Sequence, residues 1–95
     1  MRQVRISATA RRDLTEIWKF IARDNPAAAN RVRDGIKARF ELLARFPGIG
    51  QSRSELADGL RCFSIGNYVI YYVHTSDQLR ILRIVHGARD AARLF

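Results

Sequence analysis

The segment Tyr68-Val69-Ile70-Tyr71-Tyr72-Val73 constrains this chain more than any other. Its residues are β-branched or aromatic throughout, the composition of a strand. Successive side chains of a strand point to opposite faces, and here both phases are apolar. A strand in a sheet with one wet face alternates apolar and polar residues instead. The next strand, Leu79 to His86, repeats the problem, with Leu79, Ile81, Leu82, Ile84 and Val85 spread over both phases. The fold therefore has to cover these strands.

One cover is legible upstream. Gln3-Val4-Arg5-Ile6-Ser7 alternates and reads as a short strand. Ser7 or Thr9 can cap a following helix. Ala10, Leu14, Ile17, Trp18 and Ile21 then form one apolar stripe at helical period, opposite Arg12, Glu16, Lys19 and Arg23. Asp24-Asn25-Pro26 stops that helix and starts another, because Asn caps well and Pro is tolerated at the first helical position. Ala29, Val32, Ile36, Phe40 and Leu43 form the second stripe, with Arg33, Lys37 and Glu41 on the far side. Gly35 inside this helix suggests a close helix–helix approach, and Pro47-Gly48 ends it. A turn so short makes the two helices an antiparallel hairpin.

Residues 47–59 read as a loop. Gly48-Ile49-Gly50 lacks the Lys-Ser/Thr ending of a phosphate-binding loop. Leu60–Ile65 is a strand, Gly66-Asn67 a tight turn, and Thr75–Gln78 a second turn. Three strands so joined form an antiparallel meander. The fold class is α+β, in the order β-α-α-β-β-β, in a single domain over residues 1–95. The expected sheet is four-stranded and antiparallel, with the helical hairpin packed on one face. Two helices cover only one face, so the other is expected to meet a partner, the alternative being that the 47–59 loop and the C-terminal tail cover it.

The charge narrows the partner. Seventeen Lys and Arg against nine Asp and Glu give +8. Residues 1–46 hold eleven basic and five acidic residues, a net +6. Such a chain attracts anionic partners. No helix-turn-helix or RNP-like motif accompanies the charge, and no sequence-specific nucleic-acid binding by the chain alone is expected. No apolar run approaches the roughly 20 residues of a membrane span, and no secretory leader is visible. A cytoplasmic setting without a membrane is expected. One cysteine, Cys62, and two histidines make neither a disulfide nor a zinc site, and no cofactor is expected.

Catalytic constellations are sparse. Cys62 lies within a strand and reads as a buried hydrophobe. Trp18 reads as core. Arg83 shares its strand phase with Leu79, Ile81 and Val85, so it must pair with a carboxylate, meet an anionic ligand or stay wet. Glu55, Asp58 and Asp90 are the candidate internal partners.

The ordered segments Ala10-Arg11-Arg12-Asp13-Leu14-Thr15-Glu16-Ile17, Asp24-Asn25-Pro26-Ala27-Ala28-Ala29-Asn30-Arg31, Pro47-Gly48-Ile49-Gly50, Gly59-Leu60-Arg61, Asn67-Tyr68-Val69-Ile70-Tyr71-Tyr72 and Val85-His86-Gly87-Ala88-Arg89-Asp90 together resemble the ParE branch of the RelE/ParE toxin superfamily. The resemblance spans essentially the whole chain. It implies the toxin of a type II toxin–antitoxin module, neutralised by a ParD-like antitoxin and directed at DNA gyrase, with no catalytic chemistry of its own. The alternative is a RelE-type ribosome-dependent mRNA endonuclease. For that reading the catalytic candidates are Arg61, Arg83, His86 and Arg89. Val69 and Phe95 stand where RelE-type enzymes carry a further Arg and a Tyr, and phenylalanine cannot move a proton. His86 could act as general acid or base. Leu14, Trp18, Ile21, Arg61 and Arg83 are the candidate antitoxin contacts, and Arg89, Asp90 and Phe95 the candidate target contacts.

Overall fold

A computed structural model of the chain describes residues 1–87 and 93–95. Arg89 and Asp90 lie outside the described residues. The order is β1 (Gln3–Ile6), α1 (Ala8–Ala22), α2 (Pro26–Arg45), a 3-10 turn (Pro47–Ile49), β2 (Gln51–Ser52), β3 (Arg61–Ile65), β4 (Tyr68–His74) and β5 (Gln78–His86).

The helices start where the capping residues stand. Ser7 Oγ accepts from the Ala10 N–H at 2.9 Å, and Asn25 Oδ1 accepts from the Ala28 N–H at 3.0 Å with Pro26 in the first turn. Each cap satisfies one donor that the helix start would otherwise leave unpaired. The Trp18 indole N–H donates to Asn30 Oδ1 at 2.9 Å, tying α1 to α2. The β3–β4 hairpin turns on Gly66 and Asn67, with Ile65 opposite Tyr68. Only Gly66 of the pair takes a positive φ, 56°, the pattern of a type II′ turn.

The sheet differs from the expected one. It has five strands in the order β1-β5-β4-β3-β2. The added strand, Gln51–Ser52, pairs antiparallel with Arg61 and Cys62 inside the segment that reads as loop; two residues are too few to show a period. β1 runs parallel to β5, with Val4 beside Leu79 and Ile6 beside Ile81. The sheet is therefore mixed rather than antiparallel, because β1 joins it beside the last strand of the meander. Gly35 also departs from expectation. A Cβ placed there would meet Ile65 Cδ1 of β3 at 3.6 Å, an ordinary contact with the sheet and not a tight helix–helix approach.

β4 is covered on both faces. On one, Ile70 and Tyr72 pack with Ala10, Leu14, Ile36, Phe40 and Leu43 of the helices and with Leu79, Ile81 and Ile84 of β5. On the other, Tyr71 is buried with Leu60, Cys62 and Val85, and Leu56, Ala57 and Leu94 pack against this second cluster. The open face expected from sequence is thus covered by the chain's own 53–60 segment and C-terminus. The segment folds back because the Arg53 N–H donates to Leu60 O (2.8 Å) and the Leu60 N–H to Ala57 O (3.0 Å). That closure delivers apolar side chains which no regular period announces.

Two glycine substitutions test the packing in opposite directions. Gly35→Ala should stabilise by about 0.5–1 kcal/mol, the helix-propensity gain at a site with room for a methyl. At Gly50 a Cβ would stand 2.7 Å from Cys62 O and 2.9 Å from Tyr72 Cζ, so Gly50→Ala should cost about 1–3 kcal/mol. Urea denaturation midpoints of the two variants should move apart; midpoints that move together would contradict these contacts.

Candidate functional site

After Ile6 the chain turns away into α1, so β5 loses its parallel neighbour beyond Ile81. The start of α1 takes over. The Ser7 N–H donates to Ile81 O at 3.0 Å, and Ser7 Oγ–H donates to Leu82 O at 2.9 Å. The Ile84 N–H donates to Asp13 Oδ2 at 2.9 Å. A side-chain carboxylate thus stands where a strand carbonyl would be.

The same carboxylate pairs with Arg83, whose Nε donates to Oδ2 at 2.8 Å and whose Nη2 donates to Oδ1 at 3.1 Å. This fork geometry is the strongest form of such a pair. Both side chains are largely withdrawn from water, 20% and 15% exposed. Hydrogen bonding to Asp13 raises the Arg83 guanidinium further above its usual range, against the opposing effect of burial. The reach depends on a bulge: Tyr71 opposes Arg83 and Tyr72 opposes Ile81, so Leu82 has no partner on β4. The expected internal partners of Arg83 were Glu55, Asp58 and Asp90; the carboxylate is instead that of Asp13. The signal was present in the sequence. Asp13 lies three residues after Ala10 and four before Ile17, on the edge of the apolar stripe, where a carboxylate needs a cation.

A second constellation forms at the far end of the sheet. The buried Tyr72 hydroxyl donates to Pro47 O at 2.6 Å. Burial pushes that hydroxyl above its ordinary value, so it stays a donor. Arg61 Nη2 donates to Gly50 O at 2.6 Å and Gly48 O at 3.1 Å. Its Nε is buried without an acceptor. Arg61 is therefore a clamp on the 3-10 turn.

Two grooves flank α1. One, of about 470 Å³, is lined by Asp13, Glu16, Phe20, Tyr68 and His86 among others; the Tyr68 and His86 rings meet edge to face, centroids 5.8 Å apart. The other, of about 460 Å³, has Ile6, Leu14 and Trp18 as apolar lining and Arg11, Arg33 and Lys37 as cations. Trp18 is half-buried and so is groove wall rather than core. Arg33 Nε pairs with its exposed neighbour Asp34, at 3.1 Å. Among the described residues no three His, Cys, Asp or Glu gather as a metal site, and no helix is long and apolar enough to cross a membrane.

The family whose model matches is described as the ParE toxin of the type II toxin–antitoxin system, parDE, and the match covers residues 4–91. The chain belongs to the ParE toxin family. It is 30% identical to Toxin ParE1 of Caulobacter vibrioides over 93 residues, which are 96% of this chain and 95% of that protein. It is 33% identical to Toxin RelE3 of the same organism over 88 residues, covering 92% and 96%. Among solved structures it resembles the chromosomal ParDE system from P. aeruginosa, with a TM-score of 0.75, 19% identity, and 90% and 96% of the two chains covered. It also resembles the toxin–antitoxin complex RelBE2 from Mycobacterium tuberculosis, with a TM-score of 0.63, 29% identity and the same coverage. The protein is a toxin of a type II toxin–antitoxin module in the ParE/RelE superfamily.

The toxin's sequence-predicted site residues fall in separate places. Of the catalytic candidates, Arg61 opposes Tyr72 and His86 opposes Tyr68. These positions are four residues apart along β4, roughly 13 Å at strand rise. Arg83 opposes Tyr71 and turns to Asp13. The three do not converge, and the fourth, Arg89, lies outside the described residues. Of the antitoxin candidates, Leu14 and Trp18 share the cationic groove, Ile21 is half-buried on α1, and Arg61 and Arg83 are held by internal acceptors. Of the target candidates, Phe95 sets its ring 5.2 Å from that of Tyr71, and Asp90 lies outside the described residues. Sequence reasoning missed Asp13 and Arg11, which it assigned to neither face of the first helix, and it missed Arg33 and Lys37 because they read as the far, solvated side of the second.

Removing the Asp13 carboxylate strands a guanidinium and a backbone N–H together. Asp13→Ala should cost about 3 kcal/mol, and Asp13→Asn less, since an amide oxygen can still serve Ile84. Adding Arg83→Met to Asp13→Ala should recover part of the loss. A double-mutant cycle by chemical denaturation reads the coupling, and strictly additive losses would contradict the clasp.

Proposed function

We propose that this toxin inhibits DNA gyrase by binding, without catalytic chemistry of its own, and that a ParD-like antitoxin neutralises it in the cytoplasm. The observation that carries the antitoxin part is the groove of Ile6, Leu14 and Trp18 beside Arg11, Arg33 and Lys37. An apolar floor with a cationic rim fits an amphipathic segment that is apolar on one side and acidic on the other. Such a segment, disordered when free, orders on contact. Leu14 and Trp18 are its apolar contacts, and Ile21 continues the same helix. Arg61 and Arg83, spent on internal acceptors, stay outside the contact.

The non-catalytic reading draws support from the same geometry. RNA cleavage by 2′-OH attack needs groups that activate the nucleophile, stabilise the phosphorane and protonate the leaving oxygen, all within reach of one phosphate. Arg61 and His86 are strands apart, Arg83 is committed to Asp13, and Phe95 offers no hydroxyl. Purified toxin should block gyrase supercoiling at micromolar concentration. Unaffected supercoiling would remove the gyrase assignment.

A second reading has its own support, in the relative named RelE3 and the RelBE2 structure: ribosome-dependent mRNA cleavage. Primer extension on transcripts after induction separates the two. Cuts within translated codons that vanish in His86→Ala would establish the nuclease.

The groove makes a further quantitative claim. Arg33→Glu with Lys37→Glu should weaken antitoxin binding at least tenfold, as should Trp18→Ala, by the usual weight of aromatic and Arg anchors. Binding by the parent toxin should also weaken as salt rises. Titration calorimetry on refolded toxin reads both effects; unchanged affinity in the charge-reversed variant would place the antitoxin elsewhere.

A further inference from the structure

Three of the toxin's exposed large apolar side chains stand within eight residues of one another, at the end of α2 and on the turn after it. Leu42 is 37% exposed, Phe46 57% and Ile49 49%. Single exposed apolar residues are ordinary on a protein surface, whereas a contiguous set marks contact. Helical spacing puts Arg39 three residues before Leu42 and Arg45 three after it, so the apolar set has a cationic flank.

The backbone beneath is held unusually firmly for a turn. The Tyr72 hydroxyl holds Pro47 O, Arg61 holds the carbonyls of Gly48 and Gly50, and the Ile49 N–H donates to Phe46 O at 3.2 Å. Gly50 has no room for a side chain. A buried tyrosine and an arginine with one unsatisfied nitrogen are spent on three carbonyls of a four-residue stretch. Such pre-organisation lowers the ordering cost of a contact made by the side chains above it.

The surface is separate from the cationic groove. Leu42 follows Arg33 by nine residues, two and a half helical turns, and so leaves α2 on the side opposite the groove's Arg33.

We propose that Leu42, Phe46 and Ile49, flanked by Arg39 and Arg45, form the surface through which the toxin grips its protein target, and that the target offers an apolar pocket with an acidic rim. The proposal rests on the reading of the toxin as a protein-directed poison. The flanking arginines select the occupant. Two copies of this surface would bring like charges together, which opposes self-association, while an acidic rim gains from both arginines.

The test uses the full chain, induced in cells and purified with its antitoxin. Phe46→Ser with Ile49→Ser should raise survival after induction at least about tenfold, the size of a lost interface anchor, while antitoxin affinity stays within about twofold. Arg45→Glu, on an exposed helical position that leaves the fold's packing untouched, should act in the same direction and guards against a folding defect in the first variant. Undiminished killing by both variants would overturn the proposal. So would a parallel loss of antitoxin affinity, which would make the antitoxin the occupant, or a dimer of the parent toxin that the variants dissociate, which would make it a second copy. A parent toxin that kills by cutting mRNA would instead remove the poison reading, and it is recognised by primer extension before any variant is scored.

Discussion

Everything in this fold answers to the double-sided burial of β4. Ile70 and Tyr72 turn to the helices, and Tyr71 turns to the 53–60 segment and the C-terminus. A central strand with two apolar phases cannot be left half-covered in water. Two helices supply one cover, and irregular segments supply the other. The chain uses a short segment closed on itself by Arg53 and Leu60, plus Leu94 and the Phe95 ring against Tyr71. A 95-residue toxin with no disulfide thereby seals its own sheet.

That self-sufficiency changes where partners can act. An exposed greasy sheet would make an antitoxin a structural necessity, one the toxin could not fold without. With the sheet sealed, the surfaces proposed for recognition lie outward, on the helical layer and on the turn after α2. The arginines sort accordingly. Arg61 and Arg83 are structural, one clamping the turn and the other clasping the sheet edge through Asp13. Arg11, Arg33 and Lys37 line a groove. Charge that looks uniform in a composition therefore divides into cations that hold the fold and cations that face outward.

Much of this was legible in the sequence, and the failures have physical causes. The two stripes, the Ser7 and Asn25 caps, Pro26 and the Gly66-Asn67 turn all act through neighbours within a few residues, so the sequence displays them. β2 is two residues long and has no period to display. The parallel placement of β1 depends on where a crossover of two helices lands, which no local pattern encodes. The bulge at Leu82 resets the phase of β5: Ile81 and Ile84 both pack on the helical layer while Val85 packs on the other face, so the alternation that groups Arg83 with Leu79, Ile81 and Val85 does not hold along the strand. Cover by the loop and tail was the lesser alternative to a partner, because Leu56, Ala57 and Leu60 come together by loop closure and not by spacing. The motif set, by contrast, identified the toxin family, because it sums many weak local signals over the whole chain.

The central claim is that the toxin closes its own sheet and meets its antitoxin on the helices. Amide hydrogen exchange on the free and antitoxin-bound toxin tests it most directly. The account predicts that the Tyr68–Val73 amides exchange slowly in the free toxin, at the level of global unfolding, and that the antitoxin adds protection mainly to α1 and α2. Rapid exchange along β4 that only the antitoxin suppresses would contradict it.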